Sequence, residues 1–324
     1  LRKGAVDHFD TIFCVGSHHI KEIQTTEDVY GLKTKNLIEY GYGHLDTLLK
    51  ETSTLRQQTP IDSGKKHIIV APSFGVNSLL ETKSLEIIKI LLDAQYHVTV
   101  RPHPITTRKS PDIIKKIQDK FQSNPDFILE TDISSYDSFY ASDCMISDWS
   151  GVSMEYAFAL EKPVLFVDVP KKMRNPDFAE ISSTPLEITI RDKIGDIISP
   201  AQLSQLRSKI EFLCDNSEQF RKQIKKIRSE LIFNIGESEK FGAEFTNPDI
   251  RIIFEMLSKV PKCAFSCARP LITHNLDASW AASTDCSSGT FPVNLILPSL
   301  MGIWPDTNAS LPVVTTGIYE PAGF

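Results

Sequence analysis

The motif RPHP at residues 101–104 brings together an arginine and a histidine, two residue types that bind phosphate. Arg101 offers a fork of donors to phosphate oxygens, and His103 can donate to or accept from such an oxygen. The apolar segment 97–104 predicts a strand that breaks at proline, and because side chains alternate along a strand, both residues are expected on one side of it. A lone histidine usually has a structural role. Its place at a strand end, between prolines and near Arg101, favours a catalytic role for both residues.

A second motif, SDWSGVSMEYA at residues 147–157, has the composition of a helix start that binds an anion. Ser150, Gly151 and Ser153 lie where an apolar segment ends and a helix is predicted to begin. Free backbone N–H groups and the helix dipole favour a negative charge at such a position, and serine hydroxyls can add donors. The motif therefore predicts a site for the phosphate of a nucleotide.

Three further candidates for the nucleotide site each have a structural alternative. Asp148 can hold the loop, cap the helix or face the nucleotide. Glu155 lies one turn into the helix and can reach ribose hydroxyls, although a carboxylate early in a helix is favourable in any case. Ser73 lies with a proline and a glycine in the loop 71–78, which allows a ligand close to the backbone or forms a simple tight turn.

The composition restricts the functions available to the chain. Its 324 residues are 41% hydrophobic and 23% charged with a net charge of −6, so no global positive field indicates a nucleic acid partner. The six cysteines include no second pair at metal-site spacing and there is no DxD motif, so neither a metal nor a cofactor is expected. No apolar run is long enough to span a bilayer, and we expect a cytoplasmic protein.

Apolar segments alternate with helical patterns from residue 67 onward. Strands are predicted at 67–73, 97–104, 127–131, 144–150 and 163–170. This alternation predicts an α/β fold with a parallel sheet and helices on both faces. Ligands of such sheets bind at the carboxyl ends of the strands, where all three motifs fall.

The domain organisation is predicted in four parts. Residues 1–55 are the end of a first Rossmann-like domain, 56–66 a polar linker, 67–260 a nucleotide-binding Rossmann-like domain and 261–324 an unassigned tail. The opening sequence from Leu1 is typical of a domain interior, and a complete Rossmann-like domain needs several more βα units. We therefore expect the chain to be a fragment that is inactive alone.

The motifs EYGYGHLD, IIVAPSFG, VTVRPHP and YASDCMISDWSGVSMEYAFALEKPVLFVDVP, in this order, resemble the CDP-glycerol glycerophosphotransferase family of teichoic acid polymerases and related capsule enzymes. The resemblance covers roughly residues 9–245. It implies a GT-B architecture, in which two Rossmann-like domains face a cleft. It also implies that His103 is the essential histidine of the second domain and that Ser150 and Gly151 bind the donor phosphate, beside Asp148.

The reaction implied by the resemblance is attack of an acceptor hydroxyl on the β-phosphate of a CDP-alcohol, with CMP leaving. The implied partners are that donor and a polyol-phosphate or glycan acceptor, which is lipid-linked in family members and brings them to the inner face of the membrane. The sequence departs from the family at two points. The HGT-like motif of the first domain, whose histidine is the proposed base, does not occur, so either it lies upstream of Leu1 or this branch of the family differs. His44 stands where the family usually has arginine.

Two other functions remain open. A GT-B glycosyltransferase or epimerase that uses a UDP-sugar has the same fold and the same phosphate-binding helix. Only the nucleobase that the donor site prefers distinguishes it from a transferase that uses a CDP-alcohol. A non-catalytic scaffold is supported only by the missing first-domain motifs. Support for peripheral membrane contact is limited to KKMR at 171–174 and RKQIKKIR at 221–228, and a charge run on a helix is usually a solvated face.

Overall fold

Two parallel β-sheets organise the part of the chain that the computed structural model describes, residues 1, 3–55, 64–171, 181 and 184–246. The smaller sheet pairs β1 (Thr11–Cys14) with β2 (Asn36–Glu39). The larger sheet has six strands, which are β3 (His67–Val70), β4 (His97–Val100), β5 (Phe127–Leu129), β6 (Cys144–Ser147), β7 (Val164–Val167) and β8 (Gly195–Ile198).

The first strand of the larger sheet in sequence, β3, lies in the middle of the sheet. The chain adds β4 and β5 on one side and then returns to add β6, β7 and β8 on the other, so that the order is β5-β4-β3-β6-β7-β8 with all neighbours parallel. This is the strand order of a Rossmann-like sheet. Successive strands are added on one side of β3 up to β5 and on the other side from β6 onward, so the strand order reverses between β3 and β6. A crevice opens at the carboxyl ends of these two strands, where sheets of this kind bind their ligands.

Helices connect the strands and cover the sheet, as the alternating sequence pattern predicted. They are α1 (Ser17–Tyr30), α2 (Gly43–Leu55), α3 (Leu79–Asp93), α4 (Pro104–Lys109), α5 (Pro111–Phe121), α6 (Asp137–Ala141), α7 (Val152–Leu160), α8 (Leu186–Thr189), α9 (Arg191–Ile194), α10 (Leu206–Asp215), α11 (Ser217–Leu231) and α12 (Ser238–Thr246). A short 3₁₀ helix at Pro200–Gln205 precedes α10.

The central strands of the larger sheet are buried on both faces, which explains their unbroken apolar sequences. Every residue of β6 and of β7 is buried. One face of the sheet packs against α3 and α10 through residues such as Ile88 and Ile210. The other packs against α2 and α7 through residues such as Leu45 and Tyr156. The parallel sheet with helices on both faces, expected from the sequence, is confirmed.

Asp46 links α2 to the start of α12 by hydrogen bonds. Its buried carboxylate accepts hydrogen bonds from the backbone N–H groups of Gly236 at 2.6 Å and Ser238 at 3.0 Å. Leu45 and Leu48 on the same helix lie in the core that α7 shares. The segment 1–55 therefore packs in the same unit as the larger sheet.

The end of β4 differs from the sequence prediction. A strand was expected over 97–104, but β4 ends at Val100 and α4 begins at Pro104. Proline suits the first helical position because the N–H group that it lacks would have no partner there. His103 is consequently the N-cap of α4, and the prediction that Arg101 and His103 lie on the same side of one strand is wrong.

Some predicted features lie outside the described residues. They are residues 56–63 of the linker, residues 172–174 of the KKMR segment, and the tail 261–324. Within the described residues, no helix is long and apolar enough to cross a membrane.

Candidate functional site

Asp148 links the loop that follows β6 to the loop that follows β3. It follows β6 directly, and its carboxylate accepts hydrogen bonds from the backbone N–H groups of Ser73 at 2.7 Å and of Leu79 at 2.9 Å. Leu79 is the first residue of α3, so Asp148 caps that helix from a different strand. Only 1% of Asp148 is exposed. Its two carboxylate oxygens therefore fix the loop 71–78, which includes Ser73.

The start of α7 provides the positive end of a helix dipole at the same edge of the sheet. The buried Ser153 donates its hydroxyl to the carbonyl of Ser150 at 2.7 Å, so this hydroxyl is used within the turn. Ser150 and Gly151 are half-buried. No side chain of the described residues accepts a hydrogen bond from the first turn of α7. The N–H groups of Ser153 and Met154 donate to the backbone carbonyls of Ser150 and Gly151 at 3.2 Å and 3.0 Å, so the dipole of α7 is the main feature that favours an anion at this end.

His103 lies beside the loop 71–78. Its Nδ1 accepts a hydrogen bond from the backbone N–H of Ile105 at 3.0 Å, which caps α4. Its ring lies against that of Phe74, with the ring centroids 4.5 Å apart. Because Nδ1 accepts, the proton of a neutral His103 ring is on Nε2, which can then act as a donor. The loop 71–78 thus contacts both His103 and Asp148.

Arg101 has protein partners for its guanidinium. Nη1 donates to Glu130 at 2.9 Å and to the carbonyl of Ser135 at 2.7 Å, and Nη2 donates to the carbonyl of Ile133 at 2.9 Å. The guanidinium also lies over the ring of Tyr136, 5.3 Å from its centroid. In this arrangement Arg101 orders the segment 130–136, and a direct contact of Arg101 with phosphate stays a prediction.

Glu155 is held by side chains from two other segments. The hydroxyl of Tyr42 donates to its Oε1 at 2.5 Å, and Nε2 of His44 lies 3.7 Å from its Oε2. The hydroxyl of Tyr136 lies 3.2 Å from the same Nε2. The Glu155 carboxylate raises the pKa of His44, an effect that burial opposes and that Glu51 strengthens. His44 and Glu155 therefore form an ion pair when His44 is protonated.

A cavity of about 510 Å³ lies between α1, α2, α7 and α8. Its wall includes Gly151 and Glu155 of α7, together with Tyr42 and the apolar side chains of Leu45 and Phe158. This volume is within the range of small-molecule sites. Of the residues predicted from the sequence, Gly151 and Glu155 line this cavity, and the others do not: Ser73, Arg101, His103, Asp148, Ser150 and Ser153.

The α1 side of the cavity carries two histidines in their neutral form. Burial lowers the pKa of His18 to about 4, with a smaller effect of His19 in the same direction. Burial also lowers the pKa of His19. Opposite them, burial raises the pKa of Glu187. These shifts reduce the charge that the cavity wall carries near neutral pH.

Arg191 is a residue of the site that the sequence did not reveal. It lies 4% exposed beneath the motif at 147–157, with its guanidinium 3.9 Å from the centroid of the Trp149 ring. Nη1 pairs with Asp168 at 2.8 Å, while Nε and Nη2 have no hydrogen-bond partner among the described residues. A cavity of about 10 Å³, enough for one water molecule, separates it from Ser150. No motif marks this arginine, since it is distant in sequence from Trp149.

The fold and the two loops at the reversal of strand order define a Rossmann-like α/β protein with a helix N-terminus beside a nucleotide-sized cavity. The model of a family described as CDP-glycerol:poly(glycerophosphate) glycerophosphotransferase matches residues 2–172, which is more than half of the chain. The chain therefore belongs to this family. No curated protein matches the chain in sequence.

Solved structures similar to this chain include the wall teichoic acid polymerase TagF, with 19% identity and a TM-score of 0.46 over 76% of this chain and 59% of that one. The UDP-GlcNAc 2-epimerase of Methanocaldococcus jannaschii has 15% identity and a TM-score of 0.43 over 78% and 61% of the two chains. MurG of Acinetobacter baumannii has 12% identity and a TM-score of 0.37 over 65% and 56%. The chain thus spans less than two thirds of the length of these proteins.

Proposed function

We propose that this chain is the donor-binding part of a transferase that moves glycerol phosphate, or a similar phospho-alcohol, from a CDP-activated donor to a hydroxyl of a cell-wall or capsule polymer. The observation that carries the proposal is the family match over residues 2–172, within which the start of α7 opens on the cavity of about 510 Å³. The family description supports CDP-glycerol as the donor, and the cavity beside the start of α7 supports a donor site there.

The donor diphosphate is proposed to lie at the start of α7, against Ser150 and Gly151. Backbone N–H groups at a helix start bind phosphate oxygens, and the dipole adds a favourable field. The nucleoside then extends into the cavity, where Glu155 can accept hydrogen bonds from ribose hydroxyls. Ser73 borders the same crevice, held there by Asp148.

The reaction transfers the glycerol phosphate group to an acceptor oxygen. A new bond forms between this oxygen and the β-phosphorus, the bond between that phosphorus and the oxygen of CMP breaks, and the acceptor proton goes to a base. His103 is proposed to donate from Nε2 to an oxygen of the phosphate and so to stabilise the charge that develops there. Arg101 is proposed to support it by ordering the segment 130–136.

Membrane contact is a further part of the proposal, since an acceptor that is lipid-linked lies at the membrane face. The helix α11 exposes Lys222, Lys225 and Lys226. Two of these lysines lie 3.9 Å from carboxylates of the same helix, Glu218 and Glu230. Because these carboxylates offset part of the positive charge, α11 supports at most a weak electrostatic attraction to anionic lipid.

Calorimetric titration of the chain with CDP-glycerol, followed by displacement with CMP or UDP, tests the donor site. We expect CDP-glycerol to bind and CMP to displace it more effectively than UDP. Ser150→Ala should weaken binding by roughly 1 kcal/mol, the value of one hydroxyl hydrogen bond. Ser208→Ala, at an exposed position of α10, is the matched control and should bind as the wild type does. Absence of binding to all nucleotides would overturn the proposal.

A further inference from the structure

We infer that His44 is a positioning residue for the donor site, because it holds the Glu155 carboxylate at the cavity wall where the donor ribose would bind. The inference rests on the proposed function, since it concerns how the same site recognises the donor. It assigns to His44 an action through Glu155 and no contact with the reacting atoms.

The geometry around Glu155 carries the inference. One carboxylate oxygen, Oε1, accepts the Tyr42 hydroxyl at 2.5 Å, and the other, Oε2, lies 3.7 Å from Nε2 of His44. Tyr42 and Glu155 both line the cavity of about 510 Å³. The side chains of Glu155 and His44 are 18% and 35% exposed. Glu155 is thus fixed from the side of α2 while its carboxylate remains at the cavity wall.

A fixed carboxylate binds a diol better than a mobile one. A free glutamate loses rotamer entropy when it is ordered, and Tyr42 and His44 have already ordered this one. A carboxylate has only acceptor oxygens, which suits it to two ribose hydroxyl donors. Loss of either partner of Glu155 should therefore weaken donor binding without removing a donor contact.

Each element packed around His44 contributes a titratable or charged group. Glu155 on α7 and Glu51 on α2 favour its protonated form, with Glu155 the larger effect. Tyr136, before α6, places its hydroxyl 3.2 Å from Nε2, and the guanidinium of Arg101 lies behind the Tyr136 ring. The net result is a pKa of His44 above its ordinary value. Donor affinity is therefore expected to be highest below this pKa and to fall as the pH rises through it.

Arginine is a conservative replacement for a protonated His44, because its guanidinium stays charged at every pH of interest. His44→Arg should keep a cation beside Glu155 and remove the pH dependence. His44→Gln removes the charge, and His97→Gln is a matched control at a half-buried histidine that lies 4.0 Å from Asp126 at the opposite ends of the strands.

The test measures the dissociation constant of CDP-glycerol by calorimetry at about pH 6 and about pH 8. The diphosphate diester of this ligand has the same charge at both values. The wild type and His97→Gln should bind about 3- to 10-fold more weakly at the higher pH, as expected for one charge-assisted contact between half-exposed groups. His44→Gln should be weak at both values, and His44→Arg tight at both. A His44→Gln variant with the affinity and pH dependence of the wild type would overturn the inference.

A second readout separates this inference from the proposed function. Proton NMR of the His44 ring gives its pKa without any nucleotide, and that pKa should fall in Glu155→Gln. If the wild type binds no donor but the pKa falls, the proposed function fails and the His44–Glu155 pair stands. An unchanged pKa shows that Glu155 is not held by His44, whatever the donor does.

Discussion

Asp148 accepts a hydrogen bond from the backbone N–H of Leu79 at 2.9 Å, so a residue at the end of β6 caps the helix that follows β3. The same carboxylate holds Ser73 at 2.7 Å. These two contacts cross the point where the strand order reverses. A buried carboxylate thus joins the loops that follow β3 and β6, next to the start of α7.

Substitution of Asp148 should destabilise the protein. Asp148→Ala leaves two buried N–H groups without partners, which should cost about 2–4 kcal/mol in the free energy of unfolding. Asp148→Asn keeps an acceptor oxygen and should cost less. Asp119→Ala, at an exposed position of α5, should stay within about 0.5 kcal/mol of the wild type. Urea unfolding measures all three, and equal stability of Asp148→Ala and the wild type would contradict the capping role.

Replacement of Arg101 should loosen the segment 130–136. The guanidinium donates in three directions at once, and a lysine ammonium cannot reproduce its planar fork. Arg101→Lys should therefore increase hydrogen exchange in this segment nearly as much as Arg101→Ala does. Arg207→Lys is the control, because Arg207 pairs with Glu211 on an exposed helix surface. Unchanged protection in Arg101→Lys would show that the three contacts are not required.

His103 combines a structural and a proposed chemical role that two substitutions can separate. His103→Asn keeps an acceptor for the Ile105 N–H, whereas His103→Ala loses it and should cost about 1 kcal/mol of stability. Both variants lose the Nε2 donor. If this donor acts on the transferred phosphate, both should lower the rate of CMP release by the complete enzyme by about 10²–10⁴-fold. A variant with the wild-type rate would refute the chemical role.

Stability should decrease as the solution is made mildly acidic. Burial lowers the pKa of His67 to about 4, and burial lowers that of His18 to about 4 as well. Below a pH of about 6.5 the unfolded chain binds protons that the folded chain does not bind until about pH 4, so folding loses stability across this window. His67→Gln should make urea unfolding less dependent on pH between about 7 and 5. His8→Gln, at an exposed position, should leave the dependence unchanged.

The sequence predicted the fold and part of the site for identifiable reasons. The alternation of apolar segments with helical patterns is a local feature of the sequence, and it was enough to predict the parallel sheet. His103 was misplaced because its neighbouring prolines also suit a helix start, and a strand pattern does not show where the first turn begins. The prediction that His103, Arg101 and the α7 start act in catalysis and donor binding is not tested by the structure.

The remaining features of the site depend on contacts between residues far apart in the chain. Capping was one of three roles that the sequence left open for Asp148, and the helix that it caps, α3, is set by the packing of β3 beside β6. Glu155 was expected to reach ribose, whereas its partners Tyr42 and His44 lie more than 100 residues earlier. Arg191 carries no motif, and only the fold brings it under Trp149. Local sequence patterns do not encode such pairs.

The central claim is that the start of α7 and the adjoining cavity bind the CDP-activated donor. Hydrogen–deuterium exchange of the chain with and without saturating CDP-glycerol tests it most directly. The account predicts slower exchange in two places, at the backbone of residues 150–155 and in the loop 71–78, with no change in α10. Binding of CDP-glycerol that leaves residues 150–155 unprotected, or that protects a distant surface instead, would contradict the claim.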